Sequence, residues 1–174
     1  MREQRPYAAI LSCADSRVPP EIAFDSGIGD LFVLRLAGNV WKEVAVGSLE
    51  FAVGNFGTPL IVVLGHQRCG AVAAAIGAVR ANTPAPGSID TIVQALRPPV
   101  EQTLAGVALA QRVPGAPSPS ESELVELAAK QNVRYVVNRI AQADFYIRDA
   151  VTAGRVKIVG MYYSLDTGEA TLVA

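Results

Sequence analysis

The feature that most constrains this chain is a series of short apolar runs, separated by segments with helical spacing. The clearest run is Leu-Ile-Val-Val-Leu at 60–64, bounded by Pro59 and Gly65. Continuous apolar runs of this length are typical of strands buried on both faces. Strands are predicted at 7–12, 31–36, 60–64, 156–161 and 169–173. Because helical segments lie between them, the pattern predicts an α/β fold with a mainly parallel central sheet flanked by helices.

The segments between the apolar runs predict the helices. A short helix is expected to begin at Pro19-Pro20, where proline suits a first turn. Further helices are predicted at 44–56, 69–80, 89–113 and 120–150. Ser120 and Glu123 form a capping box that begins the last of these, and Pro98-Pro99 are expected to break or kink the helix before it. The sequence has no internal repeat and no long linker, which predicts a single domain over 1–174.

Composition and charge exclude several classes of protein. Hydrophobic residues make up 51% of the chain and charged residues 18%, against about 25% charged in an average soluble domain. This apolar excess predicts that part of the surface meets another subunit. The formal net charge is -1 and no Lys/Arg run is present, so nucleic acid is not an expected partner.

No apolar stretch is long enough and free enough of charge to predict a membrane span. The first six residues lack the apolar core of a signal peptide. We therefore expect a cytoplasmic protein with no membrane partner. The chain runs almost directly into a strand, which leaves room for further sequence upstream.

The chain contains two cysteines and one histidine, and all three lie at predicted strand ends. Cys13 follows the first strand, His66 follows the third, and Cys69 begins the next helix. Since the carboxyl ends of parallel strands share one edge of a sheet, these side chains are expected to converge. Two thiolates and one imidazole form a good zinc set, and three protein ligands leave a fourth position open, as in catalytic sites.

Other interpretations of these three residues are possible. They could be two buried free thiols and a hydrogen-bonded histidine, or a Cys13–Cys69 disulfide, which would leave His66 unexplained. A Cys-His nucleophilic pair would give the second cysteine no role. The glycine-flanked segment 65–70 matches neither the dinucleotide fingerprint nor the phosphate-binding loop, so nucleotide binding is not expected.

Asp15 and Arg17 follow Cys13 within the segment Cys-Ala-Asp-Ser-Arg. A carboxylate two residues from a ligand has the reach to contact the metal or hydrogen-bond its water. Arg17 has the geometry to hold that carboxylate through a bidentate pair. Alone, such a pair would be read as a turn with a weak surface ion pair; beside the zinc set, a role around the metal is favoured.

Four segments together resemble the β-class carbonic anhydrases, over nearly the whole chain. They are Cys-Ala-Asp-Ser-Arg-Val-Pro at 13–19, Val-Leu-Arg-Leu-Ala-Gly-Asn at 33–39, Gly-Ser-Leu-Glu-Phe-Ala-Val at 47–53 and Gly-His-Gln-Arg-Cys-Gly-Ala at 65–71. Residues 159–168 resemble the family's closing strand pair. The resemblance implies one zinc ion per chain on Cys13, His66 and Cys69. It also implies that Asp15 and Arg17 are the catalytic dyad, with Asp15 as a possible fourth ligand in a closed form.

The resemblance also implies a homodimer or homotetramer with active sites near subunit boundaries. Gln4 matches a substrate-pocket glutamine that reaches in from the partner subunit. Phe32, Ala37 and Phe51 match positions that line the small apolar pocket, and Phe51 stands where tyrosine is common. The family's upstream helices, which embrace the partner, have no counterpart before the first strand of this sequence.

Some members of the family have a regulatory bicarbonate site that needs a tryptophan three residues before the first zinc cysteine. Here that position is Ile10, so we predict no such site. Arg35, which matches the arginine of that site, is instead expected to have a structural role.

The implied activity is the zinc-dependent, reversible hydration of carbon dioxide to bicarbonate and a proton. Hydrolysis of carbon disulfide or carbonyl sulfide on the same ligand set is an alternative, as is a catalytically silent zinc-binding protein. Asp15 and Arg17 argue against the silent protein, because a purely structural site needs no such dyad. His66 is the only histidine, so the released proton is expected to leave by water, buffer or Asp15.

Overall fold

The sheet and helices follow the predicted order in a computed structural model that describes residues 4–143 and 145–174. The strands are β1 (Ala8–Ser12), β2 (Leu31–Arg35), β3 (Leu60–His66), β4 (Lys157–Tyr163) and β5 (Ala170–Leu172). The helices are α1 (Pro20–Ala23), α2 (Glu43–Phe56), α3 (Gly70–Ala81), α4 (Ile89–Ala110), α5 (Glu121–Ala141) and α6 (Phe145–Thr152). A 3-10 helix spans Ala37–Asn39 between β2 and α2.

The five strands form one sheet in the order β2-β1-β3-β4-β5. The first four are parallel and only β5 runs antiparallel, against β4. This arrangement confirms the predicted α/β fold with a mainly parallel sheet. The central position of β1 and β3, side by side, explains why their residues are almost fully buried.

Alternate residues of β1 enter different parts of the core, as the pleat of a strand requires. Ala9 and Leu11 pack in a cluster with residues of α2, α5 and α6, whereas Ala8 and Ile10 pack in a second cluster that includes Val18. A third cluster surrounds the two cysteines with residues of α3, α4 and α5. The carboxyl end of the sheet is therefore enclosed by helices around the two thiols.

The prediction of a single helix over 120–150 is wrong. Helix α5 ends at Ala141, with Gln142 as its C-cap, and α6 begins at Phe145. Ile140 and Ile147 are both fully buried, so the apolar spacing continues across the break. That continuity explains why helical periodicity alone does not reveal two helices here.

The long helices α4 and α5 differ from the sequence-based expectation in one respect and match it in another. Helix α4 runs from Ile89 to Ala110 through Pro98 and Pro99, so the proline pair does not break it; the kink expected there stays a prediction. Within α5, Leu127 is 46% exposed, while its neighbour Ala128 is buried. The predicted capping box is confirmed: the Ser120 backbone N–H donates to Glu123 Oε2 at 2.7 Å, and the Glu123 N–H donates to Ser120 Oγ at 3.3 Å.

Among the described residues, no helix combines the length and the apolar character needed to span a bilayer.

Candidate metal centre

The parallel pairing of β1 and β3 brings the three candidate ligands together. Ser12 lies opposite Leu64, so Cys13 leaves β1 at the edge where β3 ends with His66. Cys69 is the N-cap residue of α3, three residues further on. The ligand atoms of the three residues lie within 4.8 Å of one another, and all three side chains are buried. The predicted convergence at the carboxyl edge of the sheet is thus confirmed.

The spacing of the two sulfur atoms suits a shared metal ion. Cys13 Sγ and Cys69 Sγ are 4.0 Å apart and both cysteines are free. A disulfide needs an S–S distance of about 2.05 Å, so the alternative of a disulfide is not supported. Two thiolates on one tetrahedral zinc ion lie about 3.8 Å apart, from a Zn–S bond of about 2.3 Å. The donor pair therefore fits zinc closely.

His66 presents its Nε2 atom to the same site. Its Nδ1 lies 2.9 Å from the Gln67 carbonyl oxygen, which accepts from Nδ1–H and leaves Nε2 with a free lone pair. Within 4–143 and 145–174, no hydrogen-bond partner reaches this buried Nε2 atom. A buried acceptor without a partner is costly, and a metal ion would satisfy it.

The charges at the site favour a bound cation. The hydrogen bond between the two thiols lowers the pKa of Cys13 well below its usual value and, with burial, raises the pKa of Cys69. Burial opposes the charged form of His66, but the Cys13 sulfur beside it contributes to raising the pKa of His66 overall. Thiols and imidazole bind metals in their deprotonated forms, so a cation would replace the protons that this cluster shares.

Asp15 and Arg17 form the bidentate pair that the sequence predicts. Arg17 Nε donates to Asp15 Oδ1 at 2.9 Å, and Arg17 Nη2 donates to Asp15 Oδ2 at 2.8 Å. The Arg17 backbone N–H also donates to Oδ1 at 3.0 Å. The guanidinium holds the pKa of the Asp15 carboxyl well below its usual range. Asp15 Oδ2 lies 3.9 Å from His66 Nε2, so an ionised carboxylate borders the ligand cluster while Arg17 holds it.

The loop that follows β1 is held by residues at the end of β2 and just after it. Arg35 Nε donates to the Cys13 carbonyl at 3.1 Å, and Arg35 Nη2 donates to the Asp15 carbonyl. The Gly38 N–H donates to Cys13 Sγ at 3.2 Å. The prediction that Arg35 has a structural role is confirmed by these two backbone contacts. Ile10, on β1, is 1% exposed and belongs to the core; the predicted lack of a regulatory bicarbonate site stays a prediction.

The loop that follows β3 is tied to the turn between β4 and β5. Gln67 Nε2 donates to Asp166 Oδ2 at 2.8 Å, and Arg68 Nη2 lies 2.9 Å from Asp166 Oδ1. The Leu165 N–H donates back to Gln67 Oε1 at 3.0 Å. Arg68 has a positive φ of 55°, which lets the chain turn between the two ligands of this loop.

The four predicted pocket residues occupy different surroundings. Ala37 begins the 3-10 helix, next to the Gly38 that contacts Cys13. Phe32 and Phe51 pack together with a centroid separation of 6.3 Å, and Phe51 is 52% exposed. Phe32 lies three residues before the end of β2, about 10 Å from that end at 3.3 Å per residue. Gln4 is exposed. The part of these residues in a substrate pocket stays a prediction.

Sequence reasoning missed three residues that act on the ligand loops. Gly38 gives no signal for its N–H contact beyond lying in a matching family segment. Asn132 donates from Nδ2 to the Gly38 carbonyl at 2.8 Å, and its signal was a polar residue within the apolar stripe of α5. Asp166 lies 97 residues beyond Cys69 in the sequence, and no spacing rule connects it to Gln67 and Arg68.

Comparison with known proteins shows which family shares this sequence and this fold. A model of the carbonic anhydrase family matches residues 8–170. Carbonic anhydrase 2 of Mycobacterium tuberculosis is 39% identical over 169 residues, covering 97% of this chain and 75% of the relative. The crystal structure of a β-carbonic anhydrase from Aspergillus fumigatus matches with a TM-score of 0.83 and 28% identity, covering 98% of this chain and 77% of that one. A structure from Sordaria macrospora, described as a tetrameric β-carbonic anhydrase, matches in fold with a TM-score of 0.83 at 22% identity.

Proposed function

This chain belongs to the β-carbonic anhydrase family and is a carbonic anhydrase, and we propose that it works with one zinc ion held by Cys13, His66 and Cys69. The reaction is the reversible hydration of carbon dioxide to bicarbonate and a proton. The observation that carries the proposal is the buried cluster of one imidazole nitrogen and two thiol sulfurs within 4.8 Å. This donor set suits zinc, and its three members leave a coordination position for a reactant.

When bound, zinc supplies a Lewis acid that makes water acidic enough to act as a nucleophile at neutral pH, an established property of carbonic anhydrases. The protein's part is to hold the ligands in their deprotonated forms and in fixed directions. The Gln67 carbonyl orients His66 through Nδ1, and the Gly38 N–H orients the Cys13 sulfur. Such outer contacts fix ligand direction and basicity at metal sites.

Asp15 has the position of a group that orients the attacking water. Its carboxylate is ionised and borders the ligand cluster, with Oδ2 at 3.9 Å from His66 Nε2. We propose that an Asp15 oxygen accepts a hydrogen bond from this water. The hydrogen bond would orient the water so that a lone pair of the water oxygen faces the carbon of carbon dioxide. Arg17 donates to both carboxylate oxygens, and we propose that this pairing favours an open site over the closed form in which Asp15 would become a ligand.

The proton released by each turnover also needs a path. His66 is the only histidine and is committed to the metal in this proposal. We propose that the proton leaves through water or buffer, and that the ionised Asp15 carboxylate, which lies between the buried cluster and the exposed Arg17, accepts a hydrogen bond along this path. A hydration rate that does not change with buffer concentration would exclude buffer as the final acceptor.

We also propose that the chain functions as a homodimer or homotetramer, with Gln4, Phe32, Ala37 and Phe51 around the substrate. Several large apolar side chains are exposed on the single chain, including Ile28 (90%), Val44 (84%) and Phe51 (52%). Exposed apolar groups in this number favour contact with another subunit. Light scattering after size exclusion measures the assembly, and Gln4→Ala is expected to raise KM for carbon dioxide without loss of zinc.

Zinc content and carbon dioxide hydration measured on the same sample test the main proposal. We expect one zinc ion per chain and a hydration rate that falls with zinc removal and returns when zinc is restored. One zinc ion per chain without hydration would favour a silent zinc protein, and activity toward carbonyl sulfide alone would favour the alternative hydrolase. A chain that binds no zinc would refute the metal centre itself.

A further inference from the structure

A buried amide on α5 reaches the turn that contacts a metal ligand. Asn132 is 1% exposed, and its Nδ2 donates to the Gly38 carbonyl at 2.8 Å. Its neighbour on the helix, Val133, is fully buried in the apolar core. A polar side chain inside such an apolar stripe is unfavourable unless it is hydrogen-bonded. The contact with Gly38 is therefore what gives Asn132 a physical reason to be there.

The Gly38 turn has a backbone that needs support. Gly38 has φ 73° and ψ 18°, and Asn39 follows with φ 40°. Two successive left-handed residues persist only where the surroundings fix them. A Cβ on Gly38 would lie 2.9 Å from Leu96 Cδ1 and 3.2 Å from Ala71 Cβ, so the turn is packed closely against α4 and α3. Packing limits the space available to the turn, and the hydrogen bond from the Asn132 amide fixes the direction of the Gly38 carbonyl.

The same glycine points its N–H at the metal centre. The Gly38 N–H donates to Cys13 Sγ at 3.2 Å in a buried setting. One residue thus receives a hydrogen bond from α5 at its carbonyl and gives one to the sulfur at its amide. These two hydrogen bonds link Asn132 to Cys13 through Gly38, and together they are called the relay. Its first step joins two residues that lie 94 positions apart in the sequence.

We propose that Asn132 is a positioning residue for the Cys13 ligand, acting through the Gly38 turn. The inference rests on the zinc site proposed above. With Asn132 in place, the Gly38 N–H keeps its direction and withdraws electron density from the sulfur. Without it, the turn loosens, the N–H···S contact weakens and the ligand loses both its fixed direction and this electronic adjustment.

The experiment compares Asn132→Leu and Asn132→Ala with the unaltered protein. Leucine has the same branched shape as asparagine without a donor, but it is larger. Alanine leaves a small cavity and is used if leucine cannot be packed. Ile140→Val is the matched control, because Ile140 is also fully buried on α5 but lies eight residues away, about 12 Å along the helix. Zinc affinity is measured by competition with a chromophoric chelator. The sulfur-to-metal charge-transfer band is recorded on cobalt-substituted protein.

Both Asn132 variants are expected to weaken zinc binding about tenfold and to move the charge-transfer band to lower energy, since the sulfur becomes more electron-rich. Ile140→Val is expected to change neither. Equal zinc affinity and an unmoved band in the Asn132 variants would overturn the proposal, and so would the same losses in Ile140→Val. If the unaltered protein binds no zinc, the metal centre fails and this inference with it.

A measurement on the unaltered protein tests the second step of the relay independently of protein folding in the variants. In protein loaded with cadmium-113, a hydrogen bond to a ligand sulfur transmits scalar coupling from the metal to the amide proton. We expect this coupling at the Gly38 amide proton. Its absence there, with coupling seen at other ligand-loop amides, would overturn the relay.

Discussion

The loop after β1 and the loop after β3 both end at the ligand cluster, but they are held in different ways. The first contributes one ligand, Cys13, and is held by Arg35, the last residue of β2, and by Gly38, just after it. The second contributes two ligands, His66 and Cys69, within four residues. It continues directly from β3 and leads into α3. Its remaining support comes from an exposed polar cluster around Asp166.

The difference follows from how far each ligand lies from its neighbours in sequence. His66 and Cys69 are brought together by one short stretch of backbone, so local backbone geometry largely determines their relative positions. Cys13 lies 53 residues before His66, and only the pairing of β1 with β3 brings it near. Its exact direction then depends on side chains from other elements. We therefore expect the first loop to be more sensitive than the second to substitutions outside the loop.

The largest effects are expected from the ligands themselves. Cys13→Ser and Cys69→Ser each remove a thiolate, which is the preferred partner of zinc in this set. We expect zinc affinity to fall by more than about a hundredfold in both, beyond the loss typical of outer contacts, with hydration lost in parallel. Cys13→Ser keeps the two ligands of the second loop, so its loss of zinc affinity should be the smaller of the two.

Chelator competition measures the affinities, and circular dichroism shows whether the fold persists. Ser48→Ala, which removes a hydroxyl that donates to the Val44 carbonyl within α2, provides a control that should keep full affinity. A tighter zinc complex in Cys69→Ser than in Cys13→Ser would contradict the idea that His66 and Cys69 form a local pair.

Asp15→Asn is expected to have the next largest effect, on turnover rather than on zinc. The amide keeps the shape of the side chain but loses the charge that Arg17 holds, and it is a poor proton acceptor. Groups that orient or accept a proton contribute about a hundredfold or more to rate, so we expect kcat to fall about a hundredfold with zinc content unchanged.

Asp149→Asn is the matched control, since Asp149 is an exposed carboxylate on α6 that also lies near an arginine, Arg148, at 3.8 Å. It should leave kcat unchanged. Stopped-flow hydration assays and zinc analysis on the same samples measure both quantities. Unchanged kcat in Asp15→Asn would remove Asp15 from the mechanism.

The sequence predicts the ligand cluster well because its assembly depends on strand order and strand ends. The apolar runs before Cys13 and His66 are continuous, so both strands could be recognised and their carboxyl ends assigned to one edge. The Asp15–Arg17 pair was also predictable, because its two members are only two residues apart and their bidentate geometry is local. These features depend on short-range patterns that can be recognised in the sequence without knowledge of the tertiary structure.

The supports of the first loop could be foreseen only in part. A structural role for Arg35 was predicted, but its partners, two backbone carbonyls, carry no sequence signature. Asn132 meets Gly38 only because α5 packs over the sheet, and a polar residue in an apolar stripe does not identify its partner. The break between α5 and α6 was hidden for a related reason: buried Ile140 and Ile147 keep helical spacing across it.

Arg35→Met sharpens the comparison by removing one support of the first loop without touching a ligand. Methionine keeps the unbranched stem but makes no hydrogen bond to the Cys13 and Asp15 carbonyls. The loop should then hold Cys13 and Asp15 less firmly, and we expect kcat to fall about tenfold, at the lower end of losses from outer contacts. Arg35→Lys keeps a donor and should recover part of the rate.

Arg134→Met is the matched control, because Arg134 Nε also donates to a backbone carbonyl, that of Val173, at 3.1 Å. Its removal is expected to leave kcat and zinc affinity unchanged. If Arg134→Met slows hydration as much as Arg35→Met does, the effect reflects the loss of any such contact and not a special need of the first loop.

Asp166→Asn should have the smallest effect, because it weakens an exposed support of a loop that is already fixed by its own backbone. The Arg68 and Asp166 side chains are 46% and 59% exposed, and pairs of this kind contribute little. The amide retains one oxygen that can accept from Gln67 or Arg68. We expect zinc affinity to fall less than about fivefold, and the difference should shrink in 0.5 M salt, where the screening length is only about 4 Å.

Chelator competition at low and high salt measures this change in zinc affinity. A loss larger than that of Arg35→Met, or one that persists in high salt, would mean that the second loop also depends on a remote side chain. The contrast between the two loops would then be wrong.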